Sequence, residues 1–348
     1  MIAHLLTSAM SAAETGKLPD AAIRAGIRRL LKTRLEKELA GGVAAQQERL
    51  QELIDELRSS PIALETDAAN EQHYEVPPEF FVKSLGPRLK YSCCHFEDGV
   101  SDLKQAEESA LTITCERAGI EDGMSILDMG CGWGSFSLWA AEKYPNCNIT
   151  SVSNSAPQRK FIEQRAASLG LTNIKVLTAD MNEFKIDQQF DRIVSVEMFE
   201  HMRNYQELLG RVSTWLKPDG KLFIHIFCHR TVAYPFTVEG KSDWMAKHFF
   251  TGGIMPSASL LAHFQDDVRL EQQWHWNGQH YEKTSNAWLA EMDKNRDTII
   301  AAFKDTYGND ADRWFGRWRI FHMACAELFG YNGGDEWFVT HMRFSKRL

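Results

Sequence analysis

Apolar positions in the first sixty residues follow a helical period. Ile23, Ile27, Leu30, Leu31, Leu35 and Leu39 recur in three- and four-residue steps, and Leu50, Leu53, Ile54 and Leu57 resume the pattern after Gly41 and Gly42. This predicts two amphipathic helices within 18–58. A linker with Ser59, Ser60, Pro61 and Asn70 follows over 59–70. Beyond it the rhythm changes. A helix over roughly 104–118 leads into a short apolar run, Ile126 and Leu127, that ends in Asp128. Further short runs at 148–153, 174–177, 190–196 and 221–227 read as strands, with helical stretches between them. Strands alternating with helices predict right-handed crossovers and a parallel sheet covered on both faces. Ligands of such a sheet bind beyond the carboxyl ends of its strands.

From about 231 onward the pattern is helical again, over 286–304 and 312–329, before a closing strand over 337–344. Seven of the ten tryptophans lie in this last third, at 244, 274, 276, 288, 314, 318 and 337. Rings at helical spacing mostly build core. The alternative is that some line a lid, over about 231–335, above a flat organic substrate. The chain thus reads as an N-terminal helical region, 1–70, and one α/β domain, 71–348.

Composition narrows the classes. Of 348 residues, 44% are hydrophobic and 25% charged, an ordinary globular balance. A net charge of -8 argues against nucleic-acid binding by phosphate neutralisation. No apolar run reaches the roughly 18 residues of a membrane span, and the N-terminus lacks the pattern of a secretory signal. The seven cysteines are odd in number and contain no Cys-x-x-Cys pair, so neither a zinc site nor a disulfide framework is expected. A cytoplasmic protein fits these features. One helix face carries Arg24, Arg28, Arg29, Lys32 and Arg34. It is a candidate for peripheral contact with an anionic membrane or for a homodimer, although packing on its own protein is the plainer expectation.

The chemistry begins where the first strand ends, in Asp128-x-Gly130-x-Gly132-x-Gly134. Glycines at a strand-to-helix turn let the backbone approach a nucleotide-like ligand closely. The spacing departs from the dinucleotide G-x-G-x-x-G and lacks the Gly-Lys-Ser/Thr of a phosphate loop. It resembles motif I of the S-adenosylmethionine-dependent methyltransferases. Gly130 and Gly132 would then admit the methionine end. The second strand ends in Ser153, Asn154 and Ser155 rather than an acid, so Asn154 and Gln158 are the candidates to grip the ribose. Asp180 and Met181, ending the third strand, would hold the adenine amino group and cover the ring.

Glu197, Glu200 and His201 follow the fourth strand at i, i+3 and i+4. On a helix they would share one face. Two carboxylates and an imidazole there can attract a cationic amine and take its proton, freeing the nitrogen lone pair to attack a sulfonium methyl. A helix N-terminus favours acids in any case, which accounts for Glu197 but not for His201. His225, Cys228 and His229 cluster at the end of the fifth strand without the spacing of a metal site.

Together these motifs resemble the cyclopropane-fatty-acid synthase superfamily, and within it the coclaurine N-methyltransferase branch. The resemblance rests on segments 72–77 and 79–81, on Lys90-Tyr91-Ser92-Cys93-Cys94, on 127–134, on Ser153 through Gln158, and on 191–201. Segments 249–253, 255–258, 264–268 and 327–332 add to it, so it spans about four-fifths of the chain. It implies a Rossmann-like, doubly wound, mostly parallel sheet with N-terminal helices and a helical, aromatic insertion. It implies cofactor contacts from Ser92, Gly130, Asn154, Gln158, Asp180 and Met181, and proton handling by Glu200 and His201 with Glu197 assisting. The implied reaction is N-methylation of a small aromatic-bearing amine. The alternative is a cyclopropane synthase or lipid methyltransferase using S-adenosylmethionine and bicarbonate. Those enzymes hold a bicarbonate-like base with Cys, Glu, His and Tyr, which here would be Cys93, Glu200, His225 and Tyr281. They commonly carry a small residue at the Glu197 position, so Glu197 favours the amine.

Overall fold

The computed structural model of the chain describes residues 9–64, 76–237 and 244–347. The 72–75 part of the sequence motif and half of the expected linker lie outside these. Helices α1 (Asp20–Glu38) and α2 (Gly42–Ser59) come first, separated at the left-handed Gly41. After α3 (Pro78–Ser84), α4 (Leu103–Ala118) starts at an Asp102 cap and stops at left-handed Gly119. Strand β1 (Ser125–Met129) and helix α5 (Ser135–Lys143) follow, then β2 (Asn148–Ser153) and α6 (Ala156–Ser168). Next come β3 (Ile174–Thr178), β4 (Phe190–Val196), α7 (Tyr205–Trp215) and β5 (Leu216–His229). The last third holds β6 (Tyr234–Pro235), α8 (Trp244–His248), β7 (Ile254–Met255) and β8 (Val268–Trp276). It closes with α9 (Gln279–Lys294), α10 (Arg296–Tyr307), α11 (Ala311–Phe329) and β9 (Trp337–Lys346).

The main sheet has the order β3-β2-β1-β4-β5-β9-β8. Strands β1 to β5 pair in parallel, while β9 and β8 add antiparallel. This is the doubly wound sheet the pattern predicts, with a switch of strand order beside β1, where such folds bind ligands. Strand β8 reads poorly from sequence because alternation fails in its middle, where Glu271, Gln272 and Gln273 are all exposed and the register shifts between Leu270 and Gln272. The helical stretch expected over 286–304 is two helices, broken at Asn295, whose amide donates to the Lys83 carbonyl at 3.0 Å. A tertiary hydrogen bond therefore sets that boundary.

Part of the basic face of α1 packs on the protein's own surface, while Arg29 and Lys32 stay exposed. Arg24 and Arg28 both pair with Glu327 of α11, at 3.0 and 2.7 Å, and Arg319 of α11 pairs with Asp20 at 2.8 Å. Ile23 and Ile27 meet Ile320 and Met323 beneath these pairs. Among the described residues no helix is long and apolar enough to cross a membrane.

Candidate active site

A cavity of about 1250 Å³ opens beyond the carboxyl ends of β1, β4 and β5. A side cleft of about 70 Å³ joins it, since Gly130, Gly132, Gln158 and His201 line both. The candidate cofactor residues gather here: Ser92 on the cavity, and Asn154, Asp180 and Met181 on the cleft. The turn after β1 explains its glycines. Gly130 sits at φ +85°, and a Cβ there would come within 2.8 Å of Met198 Cγ. Gly132, at φ +51°, would direct a Cβ into open space, so its backbone stays bare toward the cavity. Asp128 acts from behind the turn. It accepts a hydrogen bond from Ser137 Oγ, which also meets Ser151 Oγ at 2.7 Å, and this ties β1 to α5 and β2. Burial pushes the Asp128 carboxyl up to about 7. Ser153 Oγ donates to Gln158 Oε1 at 2.7 Å, which leaves buried Gln158 Nε2 with no hydrogen-bond partner among the described residues.

The three residues after β4 do not share a helix face. Glu197 takes a left-handed backbone (φ +48°), and only Phe199–His201 form a short 3-10 turn. A left-handed non-glycine residue is costly and persists where its surroundings over-determine it. Here the Glu197 amide donates to the His225 carbonyl at 2.8 Å, and its carboxylate collects three donors. Oε1 accepts from the Cys93 amide at 2.9 Å and from His225 Nε2 at 3.1 Å. Oε2 accepts from the Tyr281 hydroxyl at 2.6 Å. Cys93, His225 and Tyr281 therefore converge, as the resemblance implies, but around the carboxylate of Glu197 and without Glu200. Cys93 contributes its backbone; burial pushes its thiol well above the ordinary range.

Glu200 is fully buried and is not among the residues lining the cavity. Its Oε1 accepts from the Phe227 amide at 2.8 Å, and its Oε2 has no partner among the described residues. Burial, and after it the charge of Glu197, pushes its carboxyl well above the ordinary value. Burial also raises Glu197, against the opposing pull of Lys90 and of its donors. Glu197 and His201 both face the cavity, with His201 packed on Phe250 at 4.5 Å between centroids.

The remaining wall is mostly apolar and aromatic, including Tyr234, Phe236, Phe250, Phe321 and Phe329, with Arg29, Arg34 and Lys37 of α1 also lining it. Of the seven late tryptophans, Trp244 and Trp288 line it, while Trp318 and Trp337 are fully buried core. Ile23, Ile27 and Leu31 of α1 also line it, so the N-terminal helix is a wall of the site, which its amphipathic pattern alone did not indicate. Sequence reasoning assigned no role to Lys90. Its buried ammonium donates to Ser92 Oγ at 2.6 Å and to the Cys93 carbonyl at 2.7 Å, bracing the loop that serves both halves of the site. A lysine between Leu89 and Tyr91 carries no local signal that its ammonium is buried.

The family model for mycolic acid cyclopropane synthetase matches residues 64–335. (S)-coclaurine N-methyltransferase of Thalictrum flavum subsp. glaucum is 39% identical over 339 residues, covering 96% of this chain and 94% of that protein. Cyclopropane-fatty-acyl-phospholipid synthase of Escherichia coli (strain K12) is 30% identical over 274 residues, 78% of this chain and 67% of that one. A crystal structure of coclaurine N-methyltransferase bound to N-methylheliamine and SAH matches with a TM-score of 0.95 at 38% identity, covering 98% of this chain and 100% of the other. The match with the N-methyltransferase is thus both longer and closer than that with the lipid enzyme. The chain belongs to the mycolic acid cyclopropane synthetase family, in its coclaurine N-methyltransferase branch.

Proposed function

We propose that this chain is an S-adenosylmethionine-dependent N-methyltransferase acting on a small aromatic-bearing amine of the benzylisoquinoline or phenethylamine kind. One observation carries the reading: a buried carboxylate, Glu197, held by three donors, faces an aromatic-walled cavity that also receives the glycine turn. A charge taken out of water attracts a counter-charge strongly, so the cavity favours a cation with an apolar body.

The residues on the cofactor side fit the donor. The bare backbone at Gly132 admits a close approach, and buried Gln158 Nε2 offers a donor to a hydroxyl. Bound there, S-adenosylmethionine supplies a methyl on a sulfonium. Glu197 draws the ammonium form of the amine to the cavity and orients it. His201, on the edge shared by cavity and cleft, takes the proton, because an ammonium has no lone pair to donate and a neutral imidazole nitrogen can accept a proton. Glu200 acts from behind: its bond to the Phe227 amide ties the Glu197–His201 turn to β5. The aromatic walls hold the acceptor's rings and exclude water from the nucleophile.

A lipid-modifying reaction that needs bicarbonate is disfavoured, because the donors that would hold the anion are engaged by Glu197. The test is S-adenosylhomocysteine release in single turnover across a panel of benzylisoquinolines and phenethylamines, with phospholipid vesicles plus bicarbonate in parallel. Turnover of amines without vesicle cyclopropanation is expected. The reverse result would replace this reading with the lipid one.

A further inference from the structure

Behind Glu197 a row of side chains leads away from the cavity. His225 and His341 are direct cross-strand partners on β5 and β9, and Trp274 of β8 is the next partner of His341. His225 Nδ1 lies 2.9 Å from His341 Nε2, and His341 Nδ1 lies 2.8 Å from a guanidinium nitrogen of Arg117, at the end of α4. Arg117 is held over the rings of Trp274 and Trp276, at 5.2 and 5.7 Å. Both histidines are fully buried.

The direction of every hydrogen in this row follows from its outer end. A guanidinium only donates, so His341 Nδ1 must accept. The proton of a neutral His341 is then on Nε2, which donates to His225 Nδ1. The proton of His225 is in turn on Nε2, which donates to Glu197 Oε1. Neither ring is an imidazolium: a second proton on His341 would face the Arg117 donor, and one on His225 would face His341 Nε2–H. The titratable and charged groups around the pair are Lys90, Arg117, His95 and Glu197. Burial first, with Lys90 and Arg117 acting in the same direction, holds both imidazoles well below their ordinary value.

We propose that Arg117 and His341 are positioning residues for the methyl transfer, fixing the His225 tautomer so that Glu197 always receives an N–H and stays an ionised anchor for the amine. This rests on the reading that Glu197 meets the substrate. The same polarity closes the row as an exit for protons. Every hydrogen points toward Glu197, so a proton taken from the amine cannot leave through His225 and His341. His201, which lines both the cavity and the cleft, remains the acceptor proposed above.

Two measurements test this. In the unaltered protein, imidazole ¹⁵N shifts are expected to report both His225 and His341 as neutral Nε2–H tautomers across pH 6 to 8; an Nδ1–H tautomer or an imidazolium at either ring overturns the proposal. Arg117→Met is expected to lower kcat/KM for the amine by about ten- to hundredfold, the worth of one hydrogen bond to a charged group, chiefly through KM. The acid limb of its pH profile should move upward as Glu197 protonates more readily, with S-adenosylmethionine affinity unchanged. Arg117→Lys, still a pure donor, should recover most of the loss. An unchanged pH profile in Arg117→Met, or equal loss in the Lys variant, overturns the positioning role. Glu197→Gln separates the two levels: if it retains full turnover, the reading of the site fails, whereas its loss beside an unaltered Arg117→Met sinks this inference alone.

Discussion

The two halves of the site are built in different ways. The proposed cofactor side takes all its residues but Ser92 from the ends of neighbouring parallel strands: Gly130 and Gly132 after β1, Asn154 and Gln158 after β2, Asp180 and Met181 after β3. Each residue follows its strand by a few positions, so local chain geometry delivers it to the cleft. The acceptor side converges on one carboxylate from positions 93, 197, 225 and 281, with 341 and 117 behind them. No two of these are near neighbours in sequence, and the antiparallel pairing of β5 with β9 is what sets His225 against His341. A binding turn can be local, whereas a buried charge needs donors from every side.

If that division holds, substitutions should separate cleanly by half. The largest effect is expected for Glu197→Gln, which removes the buried charge and should cost about 2–5 kcal/mol in amine kcat/KM, leaving S-adenosylmethionine binding by calorimetry within about twofold. Comparable loss of cofactor affinity would merge the two halves. His201→Ala should lower kcat by about 10²–10⁴-fold, the usual range for a general base, and flatten the pH profile of single turnover. Gly132→Val tests the other half: a branched side chain at φ +51° costs at least about 1–2 kcal/mol and would block the cavity-facing backbone. Cofactor affinity should fall by tenfold or more while the amine KM, measured at saturating cofactor, stays put.

A smaller effect should appear in stability rather than turnover. Burial holds Asp128 and Glu107 at about 7 in the folded chain, above ordinary values of 3.8 and 4.5. The folded state therefore binds more protons than the unfolded chain between about pH 4 and 7, and stability falls as pH rises through that window. Asp128→Asn removes one contributor and keeps an acceptor for Ser137. Urea unfolding at pH 5 and pH 8 should show a difference between the two pH values that is smaller than in the unaltered protein, by up to about 1.4 kcal/mol per pH unit within the window. An unaltered difference would mean that Asp128 is not the titrating group. The smallest effect is expected for Arg28→Ala. Its pairing with Glu327 is half exposed and should contribute at most about 1 kcal/mol, visible only as a slight shift in Tm.

How much was legible depended on how local each feature is. Strands β1 to β4, the order of appearance of β1 to β5 and the glycine turn follow from short-range patterning and were readable to within a few residues, whereas β5 starts at Leu216, five residues before the expected 221, through the residues Lys217 to Gly220 that read as a turn. The shared helix face of Glu197, Glu200 and His201 was not, because helical spacing says nothing of a left-handed residue held by the His225 carbonyl. The same limit hid the burial of Glu200, the bracing by Lys90 and the wall supplied by α1, each of which depends on partners at least two residues and up to about three hundred away.

The amino-acid sequence by itself determined the doubly wound sheet, the carboxyl-end side of it on which the cavity opens, and the residue types available there. It could do so because strand alternation and turn chemistry are written within windows of about ten residues. Tertiary structure alone decided which carboxylate meets the cavity. Glu197 and Glu200 are three positions apart and chemically near-equivalent, and only packing surrounds one with three donors at the cavity wall and seals the other behind it. Desolvation and hydrogen bonding depend on every atom around a charge, and those atoms come from the whole length of the chain.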